Sequence, residues 1–285
     1  MGALALAGLE PGDHVCWTFD SEPSRLDATA GFVRSGIRAE HKIVYYTADL
    51  APADVIAGLT ERGIDAAGMA RIGQLEVATA AETYLAGGRF DLAACIDGWA
   101  DTCARAQAEG FAAMRVVGDM GWAADGVPRT EDLAHYEARV NAIYAEGYAM
   151  AVCQYDRRKF SPDQLRLLAS AHPGTMHTDA HDRAAPLLRI RYAGPAALRL
   201  IGDCDLSNRA AVEAVLAALS AEAARHQRTA QLDLSELHFA DSATAGALLE
   251  CAVQTPTGVT ITGCQPGLVE LLDLFGGSCV RNLHY

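Results

Sequence analysis

The sequence has no run of about 18 or more apolar residues, so no helix able to span a bilayer is expected. It also lacks basic charge: 23 Lys and Arg stand against 36 Asp and Glu, giving a net charge of −13. A nucleic-acid surface needs a basic patch to displace counterions, and an anionic membrane attracts one, so neither partner is expected. The first residues, Met1-Gly2-Ala3-Leu4-Ala5-Leu6, are apolar but carry no basic region, and Glu10-Pro11 follow too early for a secretory leader. Eight cysteines are present without a single CxxC pair, so they read as reduced thiols, mostly in the core of a cytoplasmic protein. GxSxG, HExxH and a phosphate-binding GxxxxGK[ST] are missing too, which leaves no familiar enzyme signature.

What is there is a chain of 285 residues, half of them hydrophobic, enough for two globular domains. In the first part, strand-like runs at 14–18, 42–47, 75–78, 114–117 and 150–154 alternate with amphipathic helices. One helix places Leu92, Ile96, Trp99 and Cys103 on one face and stops at Gly110. Another places Leu133, Tyr136, Val140 and Ile143 on one face and stops at Gly147. Ser161-Pro162 reads as an N-cap followed by proline at the first helical position. The pattern predicts a parallel sheet with helices on both faces. The polar stretch "HPGTMHTDAHDRAAP", residues 172–186, breaks it and reads as linker. The boundaries expected are a first domain over 1–178, a linker over 179–186 and a second α/β domain over 187–285. That second domain opens with a hairpin around Gly194-Pro195.

In the second domain the strings "GDCDL" (202–206), "LDLSELHFADSATAGALL" (232–249) and "VTITGCQPGLVELLDLFG" (259–276) together resemble a STAS domain, the fold of anti-sigma factor antagonists. That resemblance implies a loop opening a helix, with a serine phosphorylated by a partner anti-sigma kinase. The residues that match the loop are Asp241, Ser242, Ala243, Thr244 and Gly246, with Asp205 on the preceding strand end. The usual phosphoacceptor position falls on Ala243, which has no hydroxyl. Asp241 or Ser242 as a plain helix N-cap is the competing reading. Phosphorylation displaced to Ser242 or Thr244 is another, and a docking face fixed in its unphosphorylated form is the third. The partner implied is an anti-sigma factor or a serine-kinase-type regulator.

In the first domain "GDHVCWTFDSEPSRL" (12–26), "RVVGDMGWA" (115–123), "HYEARVNAIY" (135–144) and "VCQYDRRKFSPDQLRLLASAHP" (152–173) resemble the MEDS domain, a sensory module of methanogen and methylotroph regulators. The resemblance implies a RecA-like parallel sheet that has lost its nucleotide machinery and senses a small molecule. The residues agree with that loss. Where a phosphate loop would follow the first strand stands Phe19-Asp20-Ser21-Glu22-Pro23-Ser24-Arg25, without glycine or lysine, so ATP hydrolysis is not expected.

Ligands of such sheets sit beyond the carboxyl ends of the strands. Phe19, Asp20, Asp119, Trp122, Tyr155 and Asp156 are expected to gather there, a lining suited to a small apolar or cationic ligand. Trp17, Trp122 and Tyr155 as ordinary core aromatics is the competing reading. His14, Cys153 and His172 carry the family resemblance, and with Glu137 they complete the candidate ligand-binding set. No metal site is assigned, because the spacings are long and Cys16 and Cys153 read equally well as core. A second polar group, His172, His177 and His181 with Asp179 and Asp182, reads as solvated linker. The function expected is a non-enzymatic regulator in which small-molecule or redox sensing governs anti-sigma factor binding. A scaffold in a larger complex, or a thiol- or metal-dependent enzyme, are the alternatives, and a homodimer is compatible with either domain.

Overall fold

The computed structural model describes residue 6, residues 8–177 and residues 188–285; the expected linker, with Asp179, His181 and Asp182, lies outside the described residues. Strands β1 (His14–Phe19), β2 (Lys42–Thr47), β3 (Leu75–Thr79), β4 (Met114–Asp119), β5 (Ala149–Asp156) and β6 (Gly174–His177) form one sheet in the order β3-β2-β4-β5-β1-β6. All its pairings are parallel. Every residue of β1, β2, β4 and β5 is buried, as strands covered on both faces must be. The fold class is α/β: a six-stranded parallel sheet with helices on both faces, followed by a second α/β domain.

Side-chain alternation along these strands builds two separate cores. Val15, Trp17, Phe19, Ile43, Tyr45, Val117 and Val152 pack under α1 (Glu22–Arg38), α2 (Pro52–Glu61) and α3 (Ala66–Arg71). Cys16, Val44, Tyr46, Val116, Cys153 and Tyr155 pack under α4 (Leu92–Ala108), α5 (Thr130–Ala145) and α6 (Pro162–Ser170). Helix α6 starts on a capping box: Ser161 accepts from the Gln164 backbone while the Gln164 side chain accepts from the Ser161 N–H.

Part of the polar stretch is not linker. Residues 174–177, inside the expected first domain, form β6 and pair with the outer edge of β1, Val15 opposite Gly174 through Thr18 opposite His177. The edge of β1 carries unpaired backbone groups in a buried setting, and pairing them outweighs the polar composition of the segment.

The second domain has a single-sided sheet. Its strands are β7 (Arg189–Gly194), β8 (Ala197–Cys204), β9 (Ala230–Ala240), β10 (Val259–Thr262) and β11 (Leu283–His284), in the order β11-β10-β9-β8-β7. The β7–β8 hairpin is antiparallel and the other pairings are parallel. Buried Ala230, Leu232 and Leu234 alternate with less buried residues along β9, and α7 (Arg209–His226), α8 (Ser242–Gln254) and α9 (Pro266–Leu274) contribute to the core.

The two domains share an interface. Helix α5 packs on α7, Ala145 is buried in the core of the second domain, and Ala210 and Ala214 pack against the core of the first. Alanines at the crossing let the two helix backbones come close. Beside it the fully buried Asp13 carboxylate accepts from Arg191 Nη2 at 2.8 Å and Arg189 Nε at 3.1 Å, both from β7.

Candidate functional site

Four of the expected residues meet in the buried space between β1, β5 and α5. His14 is at the start of β1, Cys153 lies on β5, Glu137 faces inward from α5, and His172 follows α6. His14 Nε2 stands 3.3 Å from Cys153 Sγ and 3.4 Å from Glu137 Oε2. The same carboxylate oxygen is 3.5 Å from His172 Nε2 and 3.6 Å from Cys153 Sγ. The two imidazoles lie 4.2 Å apart between centroids, and Tyr144 stacks on His14 at 4.7 Å. None of the four side chains reaches solvent to any useful degree.

The outer atoms of the cluster are held in turn. Asn141, one helical turn after Glu137 on α5, donates its amide to the carbonyls of Glu137, Ala138 and Ala171. That fixes its Oδ1 as an acceptor, 2.8 Å from His14 Nδ1, so this ring nitrogen carries the proton. His172 Nδ1 lies 2.8 Å from the Leu168 carbonyl and must likewise donate. Tyr155 donates its hydroxyl to Glu137 Oε1 at 2.6 Å.

Burial by itself would push the Glu137 carboxyl up, and only a protonated His172 or His14 facing it would hold it below the ordinary carboxylate range. Burial, with His172 adding to it, lowers His14, and burial raises the Cys153 thiol far above its usual value.

The residues expected to gather at the carboxyl ends of the strands divide between the two faces of the sheet. Trp17 and Phe19 have the opposite parity to His14 on β1, so they sit in the other core, stacked at 5.8 Å. Asp20 is exposed. Asp119 is buried against the Arg25 guanidinium, 3.0 Å from Nη1, while Arg25 Nη2 reaches Glu22 at 2.7 Å. Asp156 pairs with Arg158 at 2.6 Å. The turn where a phosphate loop would stand is therefore filled by charged side chains that satisfy one another.

Trp122 goes elsewhere. It stacks on Tyr84 at 5.0 Å in an aromatic group with Phe90 and Tyr136. Beside this group opens a cavity of about 490 Å³, lined by Tyr46, Tyr84, Trp99 and Thr102, with Glu82, Arg89 and Asp91 at its rim. Trp99 donates to the Tyr136 hydroxyl at 2.6 Å, next in sequence to Glu137. Sequence reasoning missed Tyr84 and this cavity, because Tyr84 lies in an irregular turn with no periodicity. Asn141 was findable: its spacing from Glu137 puts both on one helix face.

In the second domain, Asp205 and the 241–246 loop lie together at the carboxyl ends of β8 and β9. The Asp241 N–H donates to the Cys204 carbonyl, and Asp205 binds the backbone and hydroxyl of Ser207. Asp241 is the N-cap of α8, accepting from the Thr244 N–H at 2.8 Å, while Ser242 is the first helical residue and is exposed. Thr244 is buried and donates its hydroxyl to Asp241 Oδ1 at 2.9 Å. Gly246 is exposed with open space around it, and Ala243 is half-buried.

No curated protein matches the chain significantly. Among solved structures, a KaiC-like protein from the hyperthermophilic archaeon Pyrococcus horikoshii is similar at 13% identity. The match covers 67% of this chain and 78% of that one, with a TM-score of 0.43. Among the described residues no helix is long and apolar enough to cross a membrane. The family described as MEDS, the methanogen/methylotroph, DcmR sensory domain, matches residues 13–173, and by this match over more than half its length the chain belongs to the MEDS family.

Proposed function

We propose that this protein is a non-enzymatic cytoplasmic regulator in which the MEDS sensory domain sets the state of a STAS-type docking domain that binds an anti-sigma factor. The observation that carries this reading is the path between them. Helix α5 holds Tyr136 at the aromatic group, Glu137 and Asn141 at the buried cluster, and Ala145 in the core of the second domain. A ligand in the aromatic cavity that moves α5 moves α7 with it. Couplings of this kind are typically about 1–3 kcal/mol, enough to change partner occupancy several-fold.

The rim of the second domain supports the docking role. Leu206 is 73% exposed and Phe239 52% exposed, and they flank the Asp205 and Asp241 loops. Apolar side chains held out beside a helix N-terminus suit a protein partner. With Ala243 at the position matching the phosphoacceptor, that face is expected to stay in its binding form, with control supplied by the first domain. The enclosure of His14, Cys153 and Glu137 favours a non-enzymatic reading, since a substrate would have no access to them.

The test is binding of the full chain to each anti-sigma kinase of its host by surface plasmon resonance, alongside Ala243→Asp. At least one kinase is expected to bind the wild type, and the added carboxylate to weaken it tenfold or more. Binding that Ala243→Asp leaves unchanged, or no binding to any of the kinases, would remove the docking reading.

A further inference from the structure

The atoms facing one another in the buried cluster are mismatched as a hydrogen-bond network. Because the Nδ1 atoms of His14 and His172 are donors to Asn141 and Leu168, each neutral imidazole presents a bare lone pair at Nε2. Both lone pairs point at the same oxygen, Glu137 Oε2, which as a carboxylate is also only an acceptor. His172 Nε2 has no hydrogen-bond partner although it is buried. The Cys153 thiol brings a single proton to this group of acceptors. Something positive belongs at the centre.

We propose that His14, Glu137, Cys153 and His172 hold one zinc-class divalent ion. Zinc takes imidazole nitrogen, carboxylate oxygen and thiolate sulfur in tetrahedral sites, at about 2.0–2.3 Å. Ligands on arms of that length stand roughly 3.3–3.8 Å from one another. Four of the six separations are 3.3, 3.4, 3.5 and 3.6 Å, and all four donor atoms lie within 4.8 Å of one another. The outer contacts are those a zinc site needs. Each histidine donates its other ring N–H to a fixed carbonyl-type oxygen, and the second oxygen of Glu137 is held by Tyr155. Binding exchanges the Cys153 thiol proton for the ion and releases that proton to solvent.

With four protein ligands and no solvent contact, the site is closed, the arrangement of a structural or regulatory zinc rather than a hydrolytic one. The ion ties β1, β5, α5 and the end of α6 together around the helix that contacts the second domain. This inference does not depend on what the second domain binds.

The test uses the full chain, purified after expression with zinc and assayed for metal by mass spectrometry, then refolded with Co²⁺ as a spectroscopic probe. One zinc per chain is expected, and a thiolate-to-cobalt charge-transfer band that Cys153→Ser removes. Asn141→Ala, which leaves all four ligands in place, is expected to weaken zinc binding about 10–100-fold while far-ultraviolet circular dichroism stays native. A folded wild-type chain that takes up neither zinc nor cobalt in stoichiometric amount would overturn the proposal. So would a metal content and cobalt spectrum that Cys153→Ser and Asn141→Ala both leave unchanged.

Discussion

Single residues in this protein are decided by what lies across from them rather than by their type. Asp119 read as a ligand-facing carboxylate, but it is the buried counter-charge of Arg25. Removing one partner of such a pair strands the other, so Asp119→Asn is expected to destabilise the chain by about 3 kcal/mol in urea unfolding. Asp156 is buried as well, but its partner Arg158 is half exposed. The hydrogen bonds of Arg158 hold its carboxyl below the ordinary range. A carboxyl depressed in the folded state stabilises above its unfolded pKa and loses that contribution as pH falls through the folded value. Asp156→Asn is therefore expected to flatten the fall in stability below about pH 4, read as the urea midpoint at each pH. In the second domain, Thr244 is buried with its hydroxyl engaged, whereas Ser242 is exposed beside the cap it was expected to share.

At the scale of elements, strong periodicity was legible and weak segments were not. The five strands at 14–18, 42–47, 75–78, 114–117 and 150–154 all form, each within a residue or two of its expected ends. Buried parallel strands are short and apolar on both faces, which few other elements imitate. Residues 174–177 have no such pattern and became a strand because β1 had an edge to fill. Helix α8 was legible through its cap. Asp241→Ala removes the acceptor for the Thr244 N–H, and a loss of about 1 kcal/mol is expected in thermal or urea unfolding.

Across the whole molecule, the consequence of the fold is that the two domains meet at α5 and at the Asp13 contact. Asp13, one residue before His14, is fully buried between Arg189 and Arg191. The wild type is expected to unfold in one calorimetric transition, and Asp13→Asn to leave zinc uptake by the cluster intact but split that transition into two. One transition retained with full zinc uptake would show that α5 and α7 alone hold the domains together.

The sequence by itself determined the alternation of strands and helices, the division into two α/β domains and the loss of a phosphate loop, because local pattern and missing residue types suffice for these. It also pointed to His14, Glu137, Cys153 and His172 as candidates, through motifs lying far apart along the chain. Only the tertiary structure decided which candidates meet. Strand parity sent Trp17 and Phe19 to one face and His14, Cys153 and Tyr155 to the other, and helix α5 brought Glu137 and Asn141 onto that second face. Contact between residues more than 100 positions apart is set by register and packing, and no local spacing carries it.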